Sequence, residues 1–487
     1  MANTGDATKA SAARSVNGSL PGAGESGPTS CDCSVCGQDH PFDLPQELLT
    51  AALEHKLVVF AGAGISTESR RAMGDTFADR VAIELGEPIG GRTFPQLMTA
   101  YEGRFGRPQL LQRIRSRFDY IKGFPELHRS ATRFHKELAT AYFLDQIVTT
   151  NWDTYFEEFA GASPIVIPAD YAFWDLSGRT VFKLHGSMHN LGTLVATEND
   201  YARCYRQLQR NTIGSTLKHL LATKRVVFIG YSFGDSDLAG ILAFMRRELG
   251  DLLPRSFVVT PHGYSGKDFP PERVIATDGA YFIRKLKDAA VAAGHMRPDT
   301  IYDKIGRLAD RVSRARHRSA SRFHVDKDPS AIYTWAYQDG MLHASERVEA
   351  LKPTGHYSDP HAGHGVIAHY EAARKGAIRT RQYFDAAYIN GYQNGLLALD
   401  FDEETTHQMP LYFVWGSDSE LVEFDEFKRE LRNAPQLHKG ANDEARRLVQ
   451  KAGGLVPVHT PFLDVEGLAA AAKPKRRGPD AAAPRQR

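Results

Sequence analysis

Cysteine is scarce in this chain, which has four among its 487 residues. So few thiols argue against a disulfide scaffold and fit a reducing compartment, and the sequence therefore predicts a cytoplasmic protein. Charge of one sign is also lacking, because Lys and Arg nearly balance Asp and Glu and leave a net charge of +2. No overall field recruits nucleic acid or an anionic membrane, and direct nucleic-acid binding is not expected.

Long apolar runs are missing as well. No stretch reaches the roughly 18 residues that a membrane-spanning helix needs, and the Ala/Ser/Gly-rich start lacks the apolar core of a signal peptide. Residues 1–40 hold too few large apolar groups to offset the entropy of ordering, so they are predicted to be a disordered leader. The basic segment 472–487 is predicted to be a disordered tail.

Three of the four cysteines, Cys31, Cys33 and Cys36, lie close to His40. Thiolates and an imidazole are zinc ligands, but structural zinc sites usually draw two ligand pairs from separate turns, and the second pair is missing. A zinc site and a flexible leader that carries a few thiols both remain open for this cluster.

Between residues 45 and 293, short apolar runs alternate with helical patterns. The runs predict strands at residues 57–61, 145–150, 180–184, 225–230 and 256–260. This alternation predicts an α/β domain with a Rossmann-like, doubly wound parallel sheet. Because ligands bind beyond the carboxyl ends of such strands, the residues that follow each run are the first candidates for a site.

After residue 298 the strand signal fades, and residues 298–465 predict a mainly helical domain for oligomerisation or sensing. Residues 367–399 predict one long helix with a small-residue stripe of Ala387, Gly391 and Gly395. Glycine inside a helix is unfavourable by up to about 1 kcal/mol, so the stripe indicates close helix packing or self-association, unless one glycine ends the helix. Residues 409–415 suggest one further strand.

The first predicted strand runs into Gly62-Ala63-Gly64-Ile65-Ser66. Glycines let a backbone approach a pyrophosphate, and a following helix offers free N–H groups. The third glycine of the dinucleotide fingerprint is replaced by Thr67, so an ordinary strand-to-helix turn is the alternative.

The second predicted strand leads into Asn151 and Asp153 of Thr-Asn-Trp-Asp. The Asn side chain can bind ribose hydroxyls or hold a water. The Asp carboxylate can bind the nicotinamide amide or support positive charge that develops on the ribose. An Asx turn that caps a helix is an alternative, and both roles are compatible.

His185 follows the third predicted strand and precedes a glycine. It titrates near neutrality, as a general base should, while His189 and His135 compete for this role. Gly230 and Ser232 follow a later strand and form a second candidate phosphate or ribose site.

These motifs together resemble the sirtuin family, which carries a Gly-Ala-Gly-x-Ser loop, a Thr-x-Asn-x-Asp motif, a His-Gly pair with the catalytic base and a later Gly-x-Ser loop. The resemblance covers roughly residues 45–293. It implies that Gly62, Ala63, Gly64, Ser66, Gly230 and Ser232 bind NAD⁺, with Asn151, Asp153 and His185 as the catalytic residues.

Two features of protein-deacylating sirtuins are absent. Only Cys204 follows His185, where deacylases have two Cys-x-x-Cys zinc pairs, and Thr67-Glu68-Ser69-Arg70 replaces their Pro-Asp-Phe-Arg element. Residues 197–201 instead resemble the Asp-Tyr element of bacterial sirtuin-like proteins that destroy NAD⁺ in antiphage defence. The resemblance thus implies an NAD⁺ glycohydrolase effector, with NAD⁺ as substrate and no zinc in the catalytic domain.

The same resemblance implies a homo-oligomer, or a partner defence protein of the ATPase or Argonaute type, or a phage trigger. Since unregulated NAD⁺ hydrolysis would kill the cell, activity is expected to be gated, with the helical domain as the gate. A protein deacylase of the same fold and a non-catalytic NAD⁺ or ADP-ribose sensor are the alternatives.

Overall fold

A computed structural model describes residues 39–66, 75–176, 178–233, 236–261, 264, 266 and 269–453. The predicted leader up to residue 38, with its three cysteines, the segment 67–74 and the basic tail lie outside the described residues. The last twelve positions of the predicted helical domain, 454–465, also lie outside them.

The described N-terminal part is built on a parallel sheet. Its seven strands lie in the order β3-β4-β2-β1-β5-β6-β7. The strands are β1 (Leu57–Ala61), β2 (Gln146–Thr149), β3 (Ser163–Ile165), β4 (Thr180–Lys183), β5 (Arg225–Ile229), β6 (Phe257–Val259) and β7 (Val274–Ile275). All five predicted strands are present, and the Rossmann-like α/β fold class is confirmed. The two strands that were not predicted, β3 and β7, are short and lie at the sheet edges.

Helices pack on both faces of this sheet. They are α1 (Gln46–Leu53), α2 (Phe77–Leu85), α3 (Phe94–Phe105), α4 (Arg107–Gly123), α5 (Pro125–Ala139), α6 (Tyr155–Ala160), α7 (Glu198–Arg210), α8 (Thr212–Thr223), α9 (Ser236–Leu249) and α10 (Gly279–Ala292). Strand β1 shows why both faces are covered, since successive side chains point to opposite sides of a strand. Leu57 and Val59 join the core under α1, α5, α6 and α10, whereas Val58 and Phe60 join the core under α7, α8 and α9.

The site edge of the sheet is set by the strand order. Strand β1 pairs with β2 on one side and with β5 on the other. From β1 the chain forms β2, β3 and β4 on one side of β1, and then crosses to form β5 on the other side. Loops that leave neighbouring strands in opposite directions open a crevice at their carboxyl ends, which is where such sheets bind ligands.

A helical layer of α2, α3 and α4 covers this crevice. It has a small core of its own, in which Val81, Met98 and Ile114 pack with Leu194 and Ala196 from the segment after β4. Helix α2 begins with a capping box in which Thr76 and Asp79 satisfy each other's backbone N–H groups. The sequence analysis did not predict this layer.

The C-terminal part is helical and has a separate apolar core. It comprises α11 (Thr300–Ala320), α12 (Ala331–Ala350), α13 (His364–Arg379), α14 (Tyr383–Leu397), α15 (Glu403–Gln408), α16 (Phe424–Leu437) and α17 (Lys439–Lys451). No helix in the described ranges is both long and apolar enough to cross a bilayer.

Two predictions about this part are wrong. The long helix predicted at residues 367–399 is two helices, because the chain turns between α13 and α14, where Arg381 has a φ of +60°. The segment 409–415 is not a strand: it is held by the N–H groups of Leu411 and Tyr412 on the Leu421 carbonyl and by contacts with Thr334.

The small-residue stripe packs within the chain, against α12. A Cβ on Gly391 would lie 1.8 Å from the Tyr337 carbonyl oxygen, and one on Gly340 would lie 2.1 Å from the Tyr388 carbonyl oxygen. The two backbones therefore approach each other reciprocally, which confirms the helix-packing interpretation. Neither glycine of the stripe ends a helix.

This contact predicts a large effect of one methyl group. We expect Gly391→Ala to destabilise the protein by about 3 kcal/mol or more, because two tightly packed helices have to separate. Gly376→Ala, in α13, is the matched control. Nothing lies within 4 Å of a Cβ there, so that variant should gain about 0.5–1 kcal/mol of helix propensity. Urea unfolding measures both, and equal stability of the two variants would contradict the packing argument.

Candidate active site

A cavity of about 550 Å³ lies where the helical layer covers the carboxyl edge of the sheet. Its volume falls within the roughly 300–1,000 Å³ of typical ligand pockets. The loops after four neighbouring strands bring seven of the predicted site residues to it: Ala63, Gly64, Asn151, Asp153, His185, Gly230 and Ser232. The other two, Gly62 and Ser66, lie behind this lining and contact it.

The glycines after β1 and β5 pack against each other. A Cβ on Gly62 or Gly64 would lie 2.5 or 2.8 Å from the Gly230 carbonyl oxygen, and one on Gly230 would lie 2.7 Å from the Ile65 nitrogen. Gly230 also has a φ of +61°, which disfavours any side chain. The close packing of the two loops thus accounts for glycine at these positions, whether or not a phosphate binds there.

The backbone N–H groups of the first loop are largely used within the protein. Gly62 donates to the Ile229 carbonyl and Gly64 to the Gly230 carbonyl, both at 2.9 Å. Ile65 and Ser66 donate to carbonyls of the same loop, which forms a short 3₁₀ turn. The loop gives a close approach of backbone to a ligand, but few N–H donors for it.

Hydrogen bonds join the loop after β1 to the loop after β2. The Ser66 hydroxyl donates to Asp153 Oδ2 at 3.1 Å, and the Asn151 amide donates to the Gly62 carbonyl at 3.2 Å. The Thr149 hydroxyl donates to the Ala61 carbonyl and accepts from the Asn151 N–H. This network fixes Asn151 and Asp153 relative to the glycine turn.

Asn151 and Trp152 each present a polar atom to this region that the protein does not satisfy. Asn151 Oδ1 and Trp152 Nε1 are buried, and neither has a hydrogen-bond partner among the described residues. Buried polar atoms are nearly always hydrogen-bonded, so such exceptions at a cavity indicate ligand contacts. Asn151 Oδ1 can accept from a ribose hydroxyl or from a water, and the indole N–H can donate.

Asp153 is the carboxylate of the lining, and neutral groups hold it. Its Oδ1 accepts the Tyr155 N–H at 3.2 Å, an Asx turn at the start of α6, and lies 4.0 Å from His135 Nε2. Burial lowers the pKa of His135 to about 4, against the opposing charge of Asp153, so this histidine is neutral. Lys183 contacts only the Asp153 backbone carbonyl and pairs with Glu157. Among the described residues, the hydrogen bonds to the Asp153 carboxylate thus come from uncharged groups.

His185 is the histidine that lines the cavity among the described residues. Its ring lies 4.9 Å from that of Tyr201, edge to face. Gly186 follows with a φ of +87°, and a Cβ there would lie 2.3 Å from the Thr193 carbonyl oxygen. The competitors lie elsewhere: His135 is buried behind Asp153, and His189 is exposed and lines a neighbouring cavity of about 430 Å³.

The Asp-Tyr element after β4 supports His185. Thr197 and Asp200 form the capping box of α7, which places Tyr201 beside the His185 ring. Burial raises the pKa of Asp200, but hydrogen bonds from Thr197 and Arg107 outweigh it and hold that pKa below its usual range. Arg107 Nη1 lies 2.6 Å from Asp200 Oδ2. Because Arg107 is the first residue of α4, this ion pair also connects the Asp-Tyr element to the helical layer.

Sequence analysis missed two cations near the site. Lys183 is the last residue of the apolar strand β4. A lysine at the end of an apolar run could have indicated a buried charge. Arg117 lines the cavity from α4 and donates to the Asp75 carbonyl at 2.8 Å. Nothing in its helix distinguishes it from the neighbouring arginines.

Within the residues that the structure describes, no group of three or more His, Cys, Asp or Glu side chains is arranged to hold a metal ion. Cys31, Cys33 and Cys36 lie outside those residues, and the role of their cluster with His40 stays open.

The geometry defines a class of protein. A doubly wound parallel sheet with a crevice at its switch point, here lined by Asn, Asp and His side chains beneath a helical layer, is typical of the Rossmann-like α/β class. Comparison with known families is more specific, because residues 145–283 match the SIR2-like domain. This part of the chain therefore matches a SIR2-like domain, in agreement with the resemblance that the motifs predicted.

Two curated bacterial relatives are similar to part of the chain, and their names refer to NAD⁺ hydrolysis and to defence. The chain is 29% identical over 214 residues to "NAD(+) hydrolase ThsA" of Cytobacillus dafuensis, which covers 42% of this chain and 41% of the relative. It is also 25% identical over 225 residues to "Defense-associated sirtuin 2" of Bacillus subtilis. This aligned region covers 44% of this chain and 22% of that relative. The matches thus span less than half of either relative.

The buried His135 predicts a pH dependence of stability. Its folded pKa of about 4 lies below the ordinary 6.5, so the unfolded chain binds a proton that the folded chain does not. Stability from this group is full above pH 6.5 and is lost as the pH falls towards 4. Between pH 7 and pH 5 the loss is roughly 2 kcal/mol.

We expect His135→Phe to flatten the fall in urea-unfolding free energy between these two pH values by about that amount. His219→Gln, at an exposed histidine, should leave the fall unchanged. An equally steep fall in His135→Phe would show that His135 does not cause it.

Proposed function

We propose that this protein is an NAD⁺ glycohydrolase that converts NAD⁺ and water to nicotinamide and ADP-ribose, and that it acts as an abortive-infection effector in antiphage defence. The observation that carries the proposal is the convergence of Asn151, Asp153 and His185 on one cavity floored by Gly64 and Gly230. The hydrolase and defence names of the two relatives support it.

The reaction breaks the bond between the ribose C1′ and the nicotinamide nitrogen. The bonding electron pair leaves with nicotinamide, which loses its positive charge, while positive charge develops on the ribose. A fixed carboxylate in a cavity shielded from water stabilises such charge. Asp153 fits this role because Ser66 and a backbone N–H hold it without neutralising it.

The attacking water adds its oxygen to C1′ and gives up a proton. In our proposal His185 accepts a proton from this water or from a ribose hydroxyl, a role that imidazole side chains commonly have in enzymes. Asn151 orients the nicotinamide ribose and the water through its unpartnered Oδ1. Ala63 and Gly64 lie under the pyrophosphate, with Gly62 and Ser66 behind them.

The later loop completes the nucleotide site. Gly230 and Ser232 line the cavity after β5, and we assign them to the adenosine side of NAD⁺.

We further propose that the helical part, residues 298–465, restrains the site until a trigger or assembly releases it. Support comes from α6, which begins two residues after Asp153 and ends at Gly161. A Cβ on Gly161 would lie 2.9 Å from the Thr354 methyl group of the helical part. A helix of this length spans only about 9 Å, so one short helix separates the contact with Thr354 from Asp153.

Arg179 reinforces this connection. Its buried guanidinium donates to the carbonyls that end α5 and α6, Ala139 and Ala160, and to the Pro353 carbonyl of the helical part at 3.2 Å. It also binds the carbonyls of Ala141 and Leu144. One side chain thus joins the turn at Pro353 to both helices behind Asp153.

Nicotinamide release from NAD⁺ tests the activity. We expect His185→Ala and Asn151→Ala to lose about 100-fold or more of the turnover of the full chain. His189→Ala is the matched control, since that histidine is exposed and lines the neighbouring cavity, and it should keep wild-type turnover. Measurements at several protein concentrations and with neighbouring gene products present test assembly and partners.

Full turnover by His185→Ala would remove it as the base. Tight nucleotide binding without nicotinamide release under any of these conditions would instead identify a sensor, and cleavage that depends on an acetyl-peptide would identify a deacylase.

The proposed restraint by the helical part predicts that a substitution at Gly355 changes the basal NAD⁺ turnover. This residue has a φ of +70°, and a Cβ would lie 2.8 Å from the Thr140 carbonyl oxygen, so Gly355→Ala should loosen the helical part from the SIR2-like domain. We expect the basal NAD⁺ turnover of the full chain to rise at least about threefold if the contact restrains the site by a fraction of a kcal/mol or more.

Gly294→Ala is the control, because Gly294 has a φ of +74° and nothing lies within 4 Å of its Cβ position. It carries the same backbone strain without the contact, and its turnover should stay at the wild-type level. Unchanged or lower turnover in a folded Gly355→Ala protein would contradict a restraining role.

A further inference from the structure

Arg117 is a buried cation in the roof of the cavity. It lies on α4, is 6% exposed, and has the apolar neighbours Ile114 and Phe118 in the same lining. Among the described lining residues it is the one with a fixed positive charge, as Asp153 is the one with a carboxylate.

A dinucleotide brings two phosphate charges into this cavity. In many nucleotide sites a glycine-rich loop meets such charges with backbone N–H groups. Here the N–H groups of Gly62, Gly64, Ile65 and Ser66 already donate to protein carbonyls. The described part of the loop, up to Ser66, therefore permits close approach but has few N–H groups left for a phosphate, and among the described lining residues a side chain supplies the positive charge.

We propose that Arg117 binds the pyrophosphate of the dinucleotide. This assignment rests on the proposed function for the identity of the ligand. A guanidinium has five N–H donors in a planar fork that suits two phosphate oxygens, so its contact with the Asp75 carbonyl at 2.8 Å is compatible with this role. Because Asp75 directly precedes α2, the same side chain connects bound phosphate to the helical layer.

The test compares ligands with and without phosphate. By calorimetry we expect the wild-type full chain to bind ADP and ADP-ribose more tightly than adenosine. Arg117→Gln should weaken ADP and ADP-ribose binding about tenfold to hundredfold, as loss of a charged hydrogen-bonding group does, and leave adenosine binding unchanged. Arg117→Lys, which keeps the charge but loses the fork, should fall between them.

Arg113→Gln is the matched control. Arg113 lies one turn earlier on α4, pairs with Glu84 at 2.7 Å, and is absent from the cavity lining. Its substitution should leave all three affinities unchanged.

Turnover gives an independent readout. Arg117→Gln should raise the KM for NAD⁺ by a similar factor and leave the hydrolysis of nicotinamide riboside, which has no phosphate, unaffected. Equal losses for ADP and adenosine, or for NAD⁺ and nicotinamide riboside, would overturn the proposal and leave Arg117 as a support for Asp75. Because ADP binding needs no catalysis, a wild-type protein that binds ADP through Arg117 but never releases nicotinamide would refute only the hydrolase.

Discussion

The candidate site depends on one contact between two loop backbones, where Gly62 and Gly64 meet Gly230. It holds the ends of β1 and β5 together at the point where the chain changes direction across the sheet. Ser66 and Asn151 extend this fixed point to the loop after β2, and Asp153 and His185 take their places around it. Side chains at these three positions would separate the loops and open the floor of the cavity.

The candidate cavity has charges of opposite sign in its lining. Lys183 forms an ion pair with Glu157, and burial keeps His135 neutral. Among the described residues, the hydrogen bonds to the Asp153 carboxylate come from neutral groups. The negative charge of Asp153 and the positive charge of Arg117 line the same cavity. NAD⁺ has the matching polarity, with a positive nicotinamide ring at one end and phosphates in the middle. In the proposed function, this match of charges orients the dinucleotide in the cavity.

The five strands could be predicted because buried parallel strands are apolar runs. The places of Asn151, Asp153, His185 and Gly230 in the cavity lining could be predicted because they follow the carboxyl ends of these strands. The edge strands β3 and β7 were too short to produce such a signal. The break at Arg381 has neither glycine nor proline to mark it. Arg117 and Arg179 bind carbonyls far away in the sequence, and no local pattern reports such contacts. Sequence also cannot tell that the glycine loop uses its N–H groups internally.

Arg179 has a consequence for how such proteins change over evolutionary time. Its five carbonyl partners come from both parts of the chain, and burial already lowers its pKa to about 10 against the opposing charge of Asp145. A helical part exchanged for a foreign one would remove the Pro353 carbonyl, which is one of three acceptors around Nη1, and with it part of the polar surroundings of a buried charge next to α6. The SIR2-like domain and its helical part are thus not freely interchangeable modules, because a new helical part has to offer Arg179 an equally polar surface.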